Sequence, residues 1–415
     1  MNRAKSPRFF YGYTIALASF FSMVMMWGTY NTFGVFLPLL SAEFGWARAV
    51  TSGAFSLSTL LRGPLSFIAG WLTDRLGPKL VVAVSGLFLG AGYLLMSRVD
   101  SAWQMYLFYG LMIGIGMGAS FIPLMTTTAR WFIRGRGLMA GLVVCGGGLG
   151  ILVWPLLAGW LITSYGWRSS YAIMGWASLV IITAAALLLK RDPAQAGLKA
   201  YGWSAEVAAL SPVATNDISL REAISARPIW ILSGAFFLAG VCMKAVVVHL
   251  APYATDLGFS PAIAATTISV FGGVSIVGRI AMGVVADRLG NKLAMVANFV
   301  LLTVAMFWLY SARELWVLYL AASLYGLAHG GVYAVISPYL AELFGTGAHG
   351  AIFGATNFWH EMGGAIGAVL PGIIFDRYGA YGPAFLILAG FGLLTVVLAV
   401  LLRPTGHQPA AGLSA

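Results

Sequence analysis

Long apolar runs, each about the length needed to cross a bilayer and separated by short polar turns, recur through the whole 415-residue chain. A hydrocarbon core about 30 Å thick takes about 20 apolar residues as a helix. Twelve such runs are read near 10–37, 48–72, 80–98, 103–129, 137–163, 169–189, 228–252, 260–285, 293–310, 316–341, 349–373 and 381–402. Each has to be helical, because lipid offers no partner to open backbone N–H and C=O groups. Composition points the same way: 60% of residues are hydrophobic and 9% charged, a ratio no water-facing surface carries. The expected fold class is therefore an all-α membrane protein with twelve transmembrane helices. Arg3, Lys5 and Arg8 precede a first run that continues well past signal-peptide length, so it reads as an uncleaved helix. Cys145 and Cys242 lie inside apolar runs and read as packing residues, not as a disulfide or metal pair.

The 24 Lys and Arg divide unevenly between the two sides of these spans. Sixteen fall on the side of the N-terminus, five on the other (Arg48, Arg98, Arg168, Arg313, Arg377) and three inside spans (Arg62, Lys244, Arg279). Basic loops stay in the cytoplasm, so both termini are expected there, in a bacterial inner membrane. The net charge of +11 has the same origin, favours anionic lipid, and does not call for nucleic acid.

A polar segment, 190–227, with Asp192-Pro193 and Ser211-Pro212, separates the sixth run from the seventh. It reads as a cytoplasmic linker between an N-terminal bundle, 1–189, and a C-terminal bundle, 228–415. The turn Gly70-Trp71-Leu72-Thr73-Asp74-Arg75-Leu76-Gly77-Pro78-Lys79 recurs at an offset of 213 as Gly283-Val284-Val285-Ala286-Asp287-Arg288-Leu289-Gly290-Asn291-Lys292. The same offset pairs Gly45 with Gly258, Gly137 with Gly350, Gly141 with Gly354, Gly159 with Gly372, and Tyr165-Gly166 with Tyr378-Gly379. One register held through six helices indicates duplication. Two six-helix halves, each with a G-x-x-x-D-R-x-G-x-K turn, resemble the major facilitator superfamily over essentially the whole chain. The resemblance implies two pseudo-symmetric bundles rocking about a midplane site. It also implies that Asp74, Arg75, Asp287 and Arg288 belong to cytoplasmic gates and do not touch substrate.

Across the fourth and fifth runs extends Pro123-Leu124-Met125-Thr126-Thr127-Thr128-Ala129-Arg130-Trp131-Phe132-Ile133-Arg134-Gly135-Arg136-Gly137-Leu138-Met139-Ala140-Gly141, followed by Cys145-Gly146. This resembles the monocarboxylate transporters and the related oxalate/formate antiporters, whose pattern is an aromatic-Phe pair, two or three basic residues, then Leu, Ala and Gly. Arg279 lies eight residues before Asp287, hence about 12 Å from that turn at helical rise. An Arg at such depth costs about 2.5–3.5 kcal/mol on insertion scales, a cost that usually marks function. Its position matches the eighth-helix Arg with which the monocarboxylate family binds carboxylate through two parallel hydrogen bonds.

Two departures from that family stand out. Mammalian members carry an Asp one turn before the Arg, where this chain has Ser275, and their first-helix Lys falls on Asn31. By the repeat offset, Asn31 pairs with Lys244 and Ser275 with Arg62, so cations stand at the symmetry mates of the familiar sites and are candidates for the cavity border. Among thirteen acids, Glu361 is the one placed inside a span, beside His360. A carboxyl at that depth is neutral unless paired, which suits it to carry a proton; Arg279 is one expected partner. Glu361 and His360 are the proton-coupling candidates, with His249 and His329 behind them. Trp27, Asn31, Tyr333, Asn357 and Phe358 are expected to line the substrate site with Arg279, enclosing the apolar end of a short acid.

These readings lead to a secondary active transporter of small monocarboxylates such as lactate or pyruvate, proton-coupled, working by alternating access as a monomeric unit. Its partners are the carboxylate anion, a proton and the bilayer. No Walker-type phosphate loop is found, and no cofactor, metal site or catalytic residue is expected, so the chain does not read as an enzyme. Two other readings stay open. One is oxalate/formate-type exchange, although the eleventh-helix Lys of oxalate carriers is replaced by the His360-Glu361 region. The other is a membrane receptor that does not transport.

Overall fold

The computed structural model describes residues 10–203, 220–344 and 349–402, and only the backbone of Arg136, Gly137, Leu220 and His349. Arg3, Lys5, Arg8, Ser211-Pro212 and Arg403 lie outside the described residues, as does the side chain of Arg136. The described part is helical almost throughout. Its twelve spans are α1 (Gly12–Phe44), α2 (Arg48–Leu76), α3 (Pro78–Met96), α4 (Ala102–Trp131), α5 (136–165), α6 (167–188), α7 (Arg227–Asp256), α8 (Pro261–Leu289), α9 (Asn291–Ser311), α10 (Leu315–Phe344), α11 (His349–Tyr378) and α12 (Gly382–Leu401).

Several helices outrun the apolar stretches that announce them. Hydropathy ends at the last apolar residue, whereas intrahelical hydrogen bonding continues into water; α1 thus reaches Phe44 through Pro38, and α2 reaches Leu76. The paired turn glycines explain the sharp reversals between helices. Gly45 and Gly258, Gly77 and Gly290, and Gly166 and Gly379 all have positive φ, which a side chain resists and glycine adopts freely.

Packing repeats as well. In the first half α1 lies on α5, α2 on α4, and α3 on α4 and α6; in the second α7 lies on α11, α8 on α10, and α9 on α10 and α12. One pair of close approaches is symmetry-related. A Cβ on Gly150 of α5 would fall 2.2 Å from the carbonyl oxygen of Val24, and one on Gly363 of α11 would fall 1.9 Å from that of Phe237. Each pair is one position in the two copies, 213 residues apart, so backbone contact through glycine is built twice.

The halves meet through α2 against α11, α5 against α8, and the end of α1 against α7. Along α5 and α11 that contact is one-sided. Towards the face away from the chain ends, a Cβ on Gly159 would meet Ala262 and Ala265 of α8, and one on Gly372 would lie 3.0 Å from Ala49 of α2. Towards the face bearing the chain ends, Gly141 and Gly354 have nothing within 4 Å of that position. The two bundles therefore close at the far face and splay at the terminal face.

Candidate functional site

Three cations and one carboxyl sit at mid-depth where the halves meet. Arg62, in α2 just before Pro64, extends its Nη2 to Oε1 of Glu361 in α11 at 3.2 Å. The bond crosses the seam between the halves. Both partners are buried, 8% and 4% exposed, and the guanidinium lies 4.9 Å from the Trp27 ring and 5.3 Å from that of Tyr30. Lys244 of α7 is equally buried, and its Nζ is 5.7 Å from the same Trp27 ring. Tyr30 is itself positioned by Ser58 and Thr59, each 2.9 Å from its hydroxyl.

Arg279 approaches from the other side of the seam. Gly278 and Gly330 let α8 and α10 touch backbone to backbone, and the guanidinium leaves α8 towards α5, where a Cβ on Gly148 would fall 2.7 Å from its Nη1. Its Nε and Nη1 are buried and make no hydrogen bond among the described residues. Such donors cost about 1–3 kcal/mol each, or more on a charged group, unless something satisfies them. Arg279 is within electrostatic reach of Cys145 and Tyr333. His329 and His360 stand on either side of Tyr333, with ring centroids 5.2 and 6.1 Å from it. With the histidines neutral and Arg62, Lys244 and Arg279 charged, three cations against the Glu361 carboxylate leave this region at +2, a charge that favours a bound anion.

The expected site residues divide by place. Arg62, Lys244, Glu361, His360, Trp27, Tyr333 and Arg279 converge, while Asn357 lines a small cleft with Tyr333, Phe236 and His360. Phe358 sits in the α2–α11 seam against Gly63, 39% exposed. Asn31 is buried and spends its Nδ2 on the carbonyl of Trp27 in its own helix, 2.7 Å away. One expected pairing is corrected: Glu361 is held by Arg62, not by Arg279, because α2 and not α8 faces α11 at this depth. A second correction removes His249 from the cavity. Its ring nitrogens bond the Tyr381 hydroxyl at 3.0 Å and the Ala368 carbonyl at 2.8 Å, nearer the far face. Cys242, buried, donates to the carbonyl of Leu388, as a packing residue does.

At the terminal face Asp74 bonds Arg130 at 2.7 Å, joining α2 to the end of α4, and Arg75 lies over Trp71. Asp287 and Arg288 are exposed at the equivalent turn. The aromatic-Phe pair finds its use nearby. Trp131 and Phe132 are buried; Trp131 donates to the Lys190 carbonyl, and the backbone carbonyl of Tyr201 in the linker accepts from the N–H groups of Ile133 and Arg134 at 3.0 Å while its ring packs at a tilt against Phe132 and Phe10. The motif docks the start of the linker onto the first bundle.

The far face joins the halves through residues that no sequence motif marks. Arg48, at the start of α2, grips both oxygens of Asp256 at 2.6 Å and donates to the Tyr381 hydroxyl at 2.8 Å, with its guanidinium 3.8 Å from the Phe375 ring. Asp376 accepts from the backbone N–H of Arg48 and Ala49 at 2.9 and 2.8 Å, capping α2 from the opposite half. The available signal was two acids at helix ends on a side holding few charges.

A family profile described as Major Facilitator Superfamily matches residues 15–360 and 276–415. The chain belongs to the major facilitator superfamily. Its facilitator relatives include monocarboxylate transporter 13 of Bos taurus, 28% identical over 403 residues, covering 94% of this chain and 90% of the relative. They also include the oxalate:formate antiporter of Oxalobacter formigenes, 26% identical over 397 residues, covering 93% and 90%. Among solved structures, a mutant of the nucleoside transporter NupG superposes with TM-score 0.73 at 13% identity, covering 94% of this chain and 99% of that one. A bacterial homologue of the human lysosomal transporter Spinster, inward-facing and unoccupied, gives 0.70 at 14% identity, covering 96% and 95%. These likenesses establish the facilitator fold and a transporter, not an enzyme.

Proposed function

We propose that this facilitator carries small monocarboxylates together with a proton across a bacterial inner membrane, by rocking its halves about the cation cluster. The observation that carries the reading is Arg279, a guanidinium at mid-depth that enters the seam between α8 and α5 and whose buried Nε and Nη1 have no acceptor among the described residues. A carboxylate can take one of them together with Nη2, since the two-pronged edges of a guanidinium are Nε with Nη2 and Nη1 with Nη2. Glu361, with His360 beside it, supplies a titratable group close to the same cations. The excess of Lys and Arg on the terminal face supports a cytoplasmic location for both ends. Closure at the far face then corresponds to an inward-facing carrier, working as a monomer.

Purified protein in liposomes, given labelled lactate, pyruvate, formate or oxalate under an imposed pH gradient, tests this directly. Accumulation of a monocarboxylate driven by an inward proton gradient is the expected result. Arg279→Lys keeps the charge but loses the fork; with about 1.5–3 kcal/mol per charge-assisted hydrogen bond, uptake falls about 10- to 100-fold while folded protein persists. Near-normal uptake in that variant moves the anion site elsewhere. Asp74→Asn takes the charge out of the bond to Arg130 and lowers turnover more than equilibrium binding.

Exchange of the oxalate/formate type is the second reading, favoured by Lys244 and Arg62 as further cations for a second carboxylate. Oxalate-for-formate counterflow without a pH effect selects it. Binding with no counterflow of any of these anions selects a receptor.

A further inference from the structure

The Arg62–Glu361 pair differs from a structural brace in what it leaves unbonded. A buried ion pair repays its desolvation only when the remaining donors and lone pairs are satisfied. Here Arg62 Nη1 and Glu361 Oε2 are buried and make no hydrogen bond among the described residues. The single contact, 3.2 Å, is longer than the 2.7–2.9 Å typical of charge-assisted bonds. A brace between halves resembles instead the far-face grip of Arg48 on Asp256, two bonds of 2.6 Å.

Chemically, the Glu361 side chain is a short aliphatic carboxylic acid on a tether. It presents its carboxylate to a guanidinium and lies within electrostatic reach of the Lys244 ammonium, and both cations border the Trp27 indole. Two cations against an aromatic wall form the setting that a free short carboxylate would seek. Gly364, whose Cβ would fall 2.7 Å from Lys244 Cγ, keeps α11 close enough to α7 for one carboxyl to serve both.

We infer that Glu361 is a tethered competitor of the substrate: it holds the Arg62–Lys244 cations in the substrate-free carrier and yields them to the substrate carboxylate, which Arg279 captures first and passes on. The inference rests on the carboxylate reading above. As the substrate's carboxylate replaces that of Glu361, the displaced group, now without cations, takes one proton from the open aqueous side. On release the proton leaves and the carboxylate returns to Arg62. Three cations and one net negative charge are present before and after, so the cavity charge is constant through the cycle and anion and proton move as a neutral sum.

The groups facing Glu361 from each neighbouring element are Arg62 on α2, Lys244 on α7, Tyr30 on α1, Tyr333 on α10 and His360 on its own helix. His329 and Arg279 stand beyond them, within reach of Lys244 and His360 or of Tyr333. Of these, Glu361 is the acid whose protonation removes a competitor, so acidification tightens binding.

Equilibrium binding of labelled pyruvate, an acid ionised throughout the range, to the full chain in lipid nanodiscs tests the inference. Because one proton is taken up for each anion bound, wild type is expected to bind more tightly as pH falls from about 8 to 5, by up to about tenfold per pH unit. Glu361→Gln is expected to bind about tenfold more tightly than wild type at neutral pH, with no pH slope. Glu361→Asp, which keeps the charge, retains the slope and serves as the folded reference. Weaker or unchanged binding in Glu361→Gln, or an unaltered slope, overturns the inference while leaving the carboxylate reading intact. Wild type that binds none of pyruvate, lactate, formate or oxalate overturns both.

Discussion

The two copies of one far-face position solve the same electrostatic problem differently. In the first half Glu43, at the end of α1, takes a bond from Arg168 and another from Trp167, all inside one bundle. At the repeat offset of 213, Glu43 becomes Asp256 and Arg168 becomes Tyr381. The second copy has no cation at that position. Asp256 is instead gripped by Arg48 of the opposite half, and Tyr381 turns its hydroxyl to accept from the same guanidinium. Three differences between the copies, Glu43 against Asp256, Trp167 against Ala380 and Arg168 against Tyr381, thus accompany an internal staple in one and a bond between halves in the other. The consequence is energetic. A bond inside one bundle contributes equally to every rocking state, whereas a bond between bundles contributes only when that face is closed, and only such differential contacts move the equilibrium.

The largest effect is expected from wedging the crossings that bring Arg48 to Asp256. Val at both Gly159 and Gly372 places carbons against Ala262, Ala265 and the Ala49 backbone, where a Cβ already lies at 3.0–3.2 Å. The far face should open in most molecules, a shift of well over tenfold, seen as longer distances between spin labels flanking that mouth. Cys145, half-buried in α5, should at the same time become reactive to a charged thiol reagent added from the far face. An unmoved distance distribution removes the glycine crossings from the account.

Arg48→Ala comes next. It deletes a bidentate pair whose partners are 13% and 29% exposed, so solvent screening holds the loss to about 1–2 kcal/mol and the population shift to about tenfold. Glu43→Gln is the smallest: a lower melting midpoint by a few degrees and no change in spin-label distances. If Glu43→Gln moved the distances as far as Arg48→Ala, the distinction between staple and latch would collapse.

Legibility followed the range of the interaction. The twelve helices and the duplication are readable because apolar length and a constant offset are properties of the chain alone, and lipid allows few answers. Arg279, Glu361, Arg62 and Lys244 were noticeable for the same reason: charge inside an apolar run is costly wherever it ends up. Which of them touch was not. The expected Arg279 partner for Glu361 proved to be Arg62, 299 positions away in sequence, because the crossing of α2 over α11 selects it. His249 looked like any other histidine in an apolar run until Tyr381 and the Ala368 carbonyl were seen to take both nitrogens.

The sequence by itself determined that this chain lives in a bilayer as two copies of one six-helix plan, and that charge had been kept at mid-depth. Those facts depend on composition and spacing along the chain. Only the tertiary structure decided that the halves close at the far face, that Arg48 spans them, and that Glu361 stands before Arg62 and Lys244 while Arg279 points its unbonded donors towards α5. The reason is geometric. A helix pattern specifies which face a residue occupies, but the partner across a seam depends on the angle and depth at which two whole bundles meet, and at the far face that angle is set by glycines on α5 and α11 resting against α8 and α2.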